Sequence, residues 1–314
     1  MAMNATAQER VFALRETIAR LEGKAVPALA AAEQARDMQQ PQQAGRPHRR
    51  LPFGIPALDE ALDGGVPLDG ITELRTSFFR DAGAATGFVL ALAARLQAMS
   101  GQGKDGIAGP VLWIGDRSST QEAGLAYAPG LLQFGLDPRQ VLHALPQRLE
   151  EALWIAETAL TSRALAITLL EIKGNPAHFG LTESRRLALR AKAAGRPLLL
   201  LRHAGEEEAS SALFRLRVEP APALERRLPN GSILGGSIGH PLFRLTLEKS
   251  RRPAPISFTL EWNSRGRQFS LVESSSLSFP AAAPENPVDR FPVSADRPDR
   301  SSEMGSLVAL DRAS

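Results

Sequence analysis

LPFGIPALDEALDGGVPLDGITELRTSFFRDAGAATGFVLALAARL, residues 51–96, is the stretch whose reading decides the fold. It opens as an apolar turn and helix in which Ile55, Leu58 and Leu62 recur at helical spacing. It then breaks at Gly64-Gly65 and Pro67 and enters a short strand over residues 70–74, with a helix over residues 88–99. Strand, loop, helix is the setting of a phosphate-binding loop, because backbone N–H groups and the positive end of the helix dipole converge there on an anion. The pattern G-x-x-x-x-G-K-[ST] also needs a lysine for the phosphates and a hydroxyl for Mg²⁺, and at that place this loop carries Gly83, Ala84 and Ala85. The scaffold of a phosphate site is present without its charged chemistry. No cofactor, no metal and no catalytic residue are therefore expected.

The run formed by Gly54, Ala57-Leu58-Asp59, Ala61-Leu62, Gly64-Gly65, Pro67, Gly70, Ile71 and Glu73 resembles the opening of the RecA family. Within it the chain looks most like the ImuA family, RecA-like accessory proteins of a bacterial inducible-mutagenesis cassette. The resemblance spans residues 51–272 and is most specific in the opening run and in residues 113–156, where GLAYAPGLLQFGLDP (residues 124–138) is similar to a signature of that family. It implies an α/β, RecA-like core with a mostly parallel central sheet flanked by helices and closed by antiparallel strands. Strands are expected over residues 111–114, 141–143, 165–172, 198–203, 214–218, 243–248 and 256–261, and helices over 149–161 and 181–194. In the strand at 214–218, Leu216 and Val218 should point inward and Arg215 and Arg217 outward. Trp113 and Trp154 read as core residues, and His143 at a strand end as structural.

Four segments are expected: an amphipathic N-terminal helix (residues 1–23), a linker (24–50), the core with its degenerate phosphate loop (51–273) and a disordered tail (274–314) rich in Pro, Ser and Ala. The N-terminal helix carries Val11, Leu14, Ile18 and Leu21 on one stripe, a surface for a partner, for self-association or for the core itself. In the tail, Leu307-Val308-Ala309-Leu310-Asp311 has the form of a short docking segment. The 314 residues suffice for one domain of about 200 to 250 residues plus tails. The longest apolar runs fall short of the ~18 to 20 residues that span a bilayer, so no membrane contact is expected. The N-terminus is charged rather than signal-like, and with no cysteine there is neither disulfide nor thiol chemistry; the expected location is the cytoplasm. A formal charge of +3 permits nucleic-acid contact without arguing for it.

Carrying the family's ATPase positions across exposes further departures. The metal-binding carboxylate would fall near Glu171, and the catalytic glutamate near residues 115–117, where Asp116 is the one carboxylate and Arg117 has the opposite charge. Of the two loops that grip DNA in the family, the second contains Gly205-Glu206-Glu207-Glu208, which would repel a phosphate backbone. The helix at 181–194 bears Arg185, Arg186, Arg190 and Lys192, a weak nucleic-acid face. The resemblance thus implies a non-catalytic accessory subunit of an error-prone translesion synthesis complex induced by DNA damage. Its partners would be an ImuB-type Y-family-like adaptor and an error-prone DnaE-type polymerase, with self-association or a RecA contact and at most weak DNA contact. An active RecA-like ATPase or recombinase, and a SulA-like inhibitor of cell division, are the competing readings.

Overall fold

The computed structural model describes residues 49–272, except 101–106, 108, 226–227, 229, 231, 234–237 and 251–255. The stripe of Val11, Leu14, Ile18 and Leu21, the linker up to residue 48, the tail and its segment at 307–311 lie outside the described residues.

Asp59 organises the entry to the core. It sits on helix α1 (Pro56–Ala61), and its carboxylate accepts the backbone N–H groups of Phe53 (2.6 Å), Gly54 (2.8 Å) and Ile55 (3.2 Å). A charged acceptor thereby satisfies three donors ahead of the helix, where no intrahelical partner exists. The chain then doubles back through Gly64 and Gly65 at φ +102° and +118°, and a Cβ on Gly65 would collide with the Leu51 carbonyl. That close approach lets β1 (Arg50–Leu51) pair antiparallel with β2 (Val66–Pro67).

The remaining elements are β3 (Ile71–Arg75), α2 (Ala82–Ser100), β4 (Val111–Ile114), α3 (Arg117–Ala123), α4 (Ala128–Phe134), β5 (Val141–Ala144), α5 (Leu149–Ser162), β6 (Ile167–Lys173), α6 (Leu181–Ala194), β7 (Leu198–His203), β8 (Phe214–Ala221), β9 (Leu242–Lys249), β10 (Ile256–Asn263) and β11 (Gln268–Leu271). The main sheet has nine strands in the order β11-β10-β9-β8-β3-β7-β6-β4-β5. From β8 to β5 every pairing is parallel, and β9, β10 and β11 close the other edge antiparallel. This is the RecA-like α/β core that the opening run implies.

All residues of β3 and β7 are buried because helices cover both faces, the usual condition of a parallel sheet. One face packs α2, with Phe88, Val89 and Leu92, against Leu74, Leu199, Leu201 and Leu216. The other packs Leu153, Ala156 and Leu160 of α5 and Leu187 and Ala191 of α6 against Ile71, Leu170, Leu198 and Leu200. Each such aliphatic or aromatic side chain contributes about 1.5–3 kcal/mol when fully buried.

Three expectations change here. Helix α2 starts at Ala82, six residues before the expected start, since Gly83 and Gly87 read as loop residues in isolation. Gly87 is small for packing reasons: a Cβ there would stand 3.2 Å from the Phe134 ring and 3.4 Å from that of Phe243. The 21 residues Phe79–Met99 are long and apolar enough by composition to cross a membrane, against the expectation that no stretch is; in the fold they are mostly buried. Trp154 is not in the core: it stands 68% exposed on the outer face of α5, while its neighbour Leu153 points inward.

Candidate functional site

The phosphate position lies between β3 and α2. Residues 76–81 make this connection, and Thr76 anchors it to the end of β7 by donating its N–H to Arg202 O (3.0 Å) and accepting Ala204 N–H on Oγ1 (3.2 Å). Gly83, Ala84 and Ala85 form the first turn of α2 rather than a loop, and Ala85 is fully buried. Five residues before Gly83, where the phosphate-loop pattern has its first glycine, stands Phe78. Phe79 begins a short 3₁₀ turn (Phe79–Asp81), its ring edge-on to His203 with centroids 5.9 Å apart and Lys173 Nζ 4.6 Å from its centroid. A phosphate cradle needs bare backbone N–H groups that an anion can approach closely. This connection presents two phenyl rings instead.

The carboxylates at the carried-over ATPase positions are engaged by protein donors. On β6, Glu171 Oε1 meets His203 Nε2 at 2.8 Å and Oε2 accepts Trp113 Nε1–H at 3.2 Å. Asp116 caps α3, accepting Ser119 N–H at 2.8 Å and the Ser118 hydroxyl at 2.6 Å. Arg117 is exposed and bonds Gln147. His143, on the edge strand β5, stacks on the Trp113 ring with centroids 5.1 Å apart. Burial pushes its imidazole below the ordinary histidine value, with Glu171 opposing. The result is a connected Phe79–His203–Glu171–Trp113–His143 assembly around Glu171, the carried-over position of the metal-binding carboxylate.

On the opposite face of the same strands lies a buried charged network. Glu73, fully buried on β3, has Oε2 3.0 Å from Arg215 Nη2 and 2.7 Å from the Ser210 hydroxyl, while Oε1 is 3.3 Å from Arg202 Nε. Burial alone would raise the Glu73 pKa; Arg215, the Ser210 hydroxyl and Arg202 outweigh it and hold the carboxyl below its usual range. Arg75 forms a two-pronged pair with Glu248 on β9 (2.5 and 2.7 Å) and donates to Gly205 O (2.9 Å). Lys249 donates to Ser210 O at 2.6 Å, and burial first, then Arg215, lowers its pKa to about 8.

One expectation is corrected by this network, and the place of the acidic loop is explained by it. Arg215 is 3% exposed and faces Glu73 rather than pointing outward to solvent. The acidic loop folds back onto strand arginines: Glu207 lies 3.5 Å from Arg215 Nη1 and Glu208 3.4 Å from Arg202 Nη1. Its carboxylates thus balance cations of the core. Glu73 entered the sequence reading only as part of a motif, and its pairing was missed. The available signal was Arg202, Arg215 and Arg217 standing inside otherwise apolar strands.

The arginines of α6 take separate positions. Arg185, Arg186 and Arg190 are all exposed; Arg186 Nε pairs with Glu157 of α5 at 2.5 Å, and Arg190 stands beside Trp154 on a shallow groove.

No family model matches the chain. Over 236 aligned residues it is 29% identical to Protein ImuA from each of two strains of Caulobacter vibrioides, a match covering 69% of this chain and 84% of the relative. With its opening run seated at the head of a RecA-like sheet, the chain is a homologue of Protein ImuA.

Proposed function

We propose that the chain is a non-catalytic accessory subunit of an error-prone translesion synthesis complex induced by DNA damage. It acts in the cytoplasm through contacts with an ImuB-type adaptor and a DnaE-type polymerase. The observation that carries the non-catalytic part is the phosphate position itself. Gly83-Ala84-Ala85 supplies neither lysine nor hydroxyl, Phe78 stands at the first glycine position, and Glu171 is bound to His203 and Trp113. Transfer of a phosphoryl group depends on positioned cations and metal ligands around the phosphates. An enzyme fold kept as a binding scaffold fits a chain in which those groups are replaced. The similarity to Protein ImuA supports the damage-response setting.

Two measurements test the reading. Purified chain should hydrolyse no ATP with or without single-stranded DNA; turnover that Glu171→Gln abolishes would overturn it. Affinity capture of the full chain from DNA-damaged cells should recover polymerase subunits. Recovery of a division protein in their place would favour the division-inhibitor reading.

A further inference from the structure

The turn between β10 and β11 sets two arginines against the end of α2. Asn263 Oδ1 accepts the backbone N–H groups of Arg265 and Gly266 at 3.1 Å each, and Trp262 Nε1–H donates to Phe134 O at 3.3 Å, so the turn is tied both to itself and to α4. It lies close on the end of α4: Gly135, at φ +92°, has no room for a Cβ, which would stand 2.9 Å from Ser264 O. From α2, Arg95 donates Nε–H to Pro52 O at 2.8 Å and Nη1–H to Arg267 O at 3.3 Å. Between turn and helix runs a groove of about 480 Å³, lined by these three arginines together with Ala98, Met99 and Gln268. No carboxylate lines it. The described carboxylates on neighbouring elements are committed elsewhere. Asp59 favours the charge of Arg95 and accepts three backbone N–H groups, and Asp137 pairs with Arg139. Glu261 alternates with the buried Trp262, which turns it to the other face of the sheet, where the Ser270 hydroxyl meets it at 3.4 Å. Arg265 and Arg267 make no side-chain hydrogen bond or ion pair among the described residues.

Guanidinium forks match the geometry of oxyanions, and here they stand on a braced turn and a buried helix rather than on free chain. The groove has no aromatic ring on which a base could stack and no acidic group to select a cation, so it offers charge and fixed donors alone. A carboxylate brings one charge and two oxygens. Phosphate groups bring at least as much charge and more acceptor oxygens, or repeat along a chain, which suits several guanidiniums lining one groove. We propose that the groove between α2 and the β10–β11 turn binds phosphate oxyanions, with Arg265 and Arg267 as the contacts and Arg95 as the fixed wall. The source is the phosphodiester backbone of a nucleic acid or free phosphate. The site lies apart from the degenerate phosphate loop and from Glu171, and stands independently of the accessory-subunit reading.

Three probes separate the possibilities, each titrated into the full chain at low salt: a labelled mixed-sequence duplex of about 20 base pairs followed by anisotropy, and inorganic pyrophosphate and polyglutamate followed by calorimetry. With two backbone phosphates contacted, the logarithm of duplex affinity should fall against log salt with a slope near −1.8, from ~0.9 per phosphate. Arg265→Gln should lower that slope by about 1 and weaken binding roughly 15-fold at about 50 mM salt, the value that ~0.9 per decade gives on extrapolation to 1 M. Arg267→Asn should do the same while suiting the positive φ of +49° at that position. Both residues lie on the turn, outside the core, and unchanged melting temperatures would show that the variants fold. Arg139→Gln, which removes an exposed arginine paired with Asp137, should leave pyrophosphate binding unchanged. Duplex binding lost in the double variant assigns the groove to the nucleic-acid backbone; pyrophosphate binding alone, lost in the same variant, assigns it to free phosphate. The proposal is overturned if the wild-type chain binds neither, or if the double variant binds as well as wild type. Polyglutamate that binds more tightly than either probe and is lost in the double variant overturns it too, and gives the groove to an acidic protein segment.

Discussion

Glu73→Gln isolates the central charge of the buried network, because it keeps the volume of the side chain and a partner for Ser210 while removing the negative charge. In the wild-type chain Glu73 faces two guanidiniums, Arg202 and Arg215, with side chains 1% and 3% exposed. After substitution their nearest remaining carboxylates are those of Glu208 at 3.4 Å and Glu207 at 3.5 Å, whose side chains are 43% and 56% exposed. Solvent screens such partners, so the two buried cations are left largely uncompensated. Breaking a buried pair in this way costs about 3–5 kcal/mol. At about 2–4 °C per kcal/mol for a domain of this size, the melting temperature should fall by roughly 6–20 °C. Arg186→Ala, which breaks the more exposed pair with Glu157, should change stability by only ~0–1 kcal/mol. Acid unfolding supplies a second readout. The folded Glu73 pKa lies below its unfolded value, so the unfolded state binds the extra proton in that window. Its stabilisation is complete above pH ~4.5 and is lost as pH falls through the folded pKa, and the variant should lack that part of the slope. Urea titrations of both variants between pH 3 and 7 measure both effects. A Glu73→Gln chain within about 1 kcal/mol of wild type at pH 7 would refute the view that this carboxylate neutralises the network.

Lys249 titrates with the opposite consequence. Its folded pKa of about 8 lies below the ordinary lysine value of 10.5, so burial of the charged amine costs stability below pH 8, and that cost is relieved as pH rises from 8 to 10.5. Lys249→Met should remove the cost, on the order of 3 kcal/mol at pH 7 before losses of its bond to Ser210 O, and the urea midpoints of the two chains should converge by pH ~10.5. Asp59→Ala leaves the N–H groups of Phe53, Gly54 and Ile55 without their acceptor and should cost about 2 kcal/mol by thermal melting, whereas Asp59→Asn should cost less. Combining Leu14→Asp with Ile18→Asp should abolish partner or self-association, measured by sedimentation, and leave the melting temperature of the core unchanged; the reverse outcome would place that stripe in the core.

Local pattern sufficed for the order of strands and helices. The period-2 and period-3.6 spacings, with the glycine and proline breaks of residues 51–96, are properties of neighbouring residues and marked the elements, while the RecA-like α/β reading came from the family resemblance of the run from Gly54 to Glu73. The lack of lysine and hydroxyl at Gly83-Ala84-Ala85 was equally legible, because it depends on residue type at fixed spacing. The face on which a polar side chain is buried was not. Alternation put Arg215 and Arg217 opposite Phe214, Leu216 and Val218, yet whether that second face met solvent depended on α6, the loop at 205–212 and Glu248 of β9, all remote in sequence. Likewise the groups that tie up Glu171 come from Trp113 on β4 and His203 on β7, which become neighbours only when the parallel sheet assembles. Trp154 misled by its size, for its apolar area suggests the core while its angle on α5, one residue round from Leu153, turns it to solvent. Periodicity encodes which residues share a face; whether a face is covered is a long-range property that only the packed tertiary structure decides.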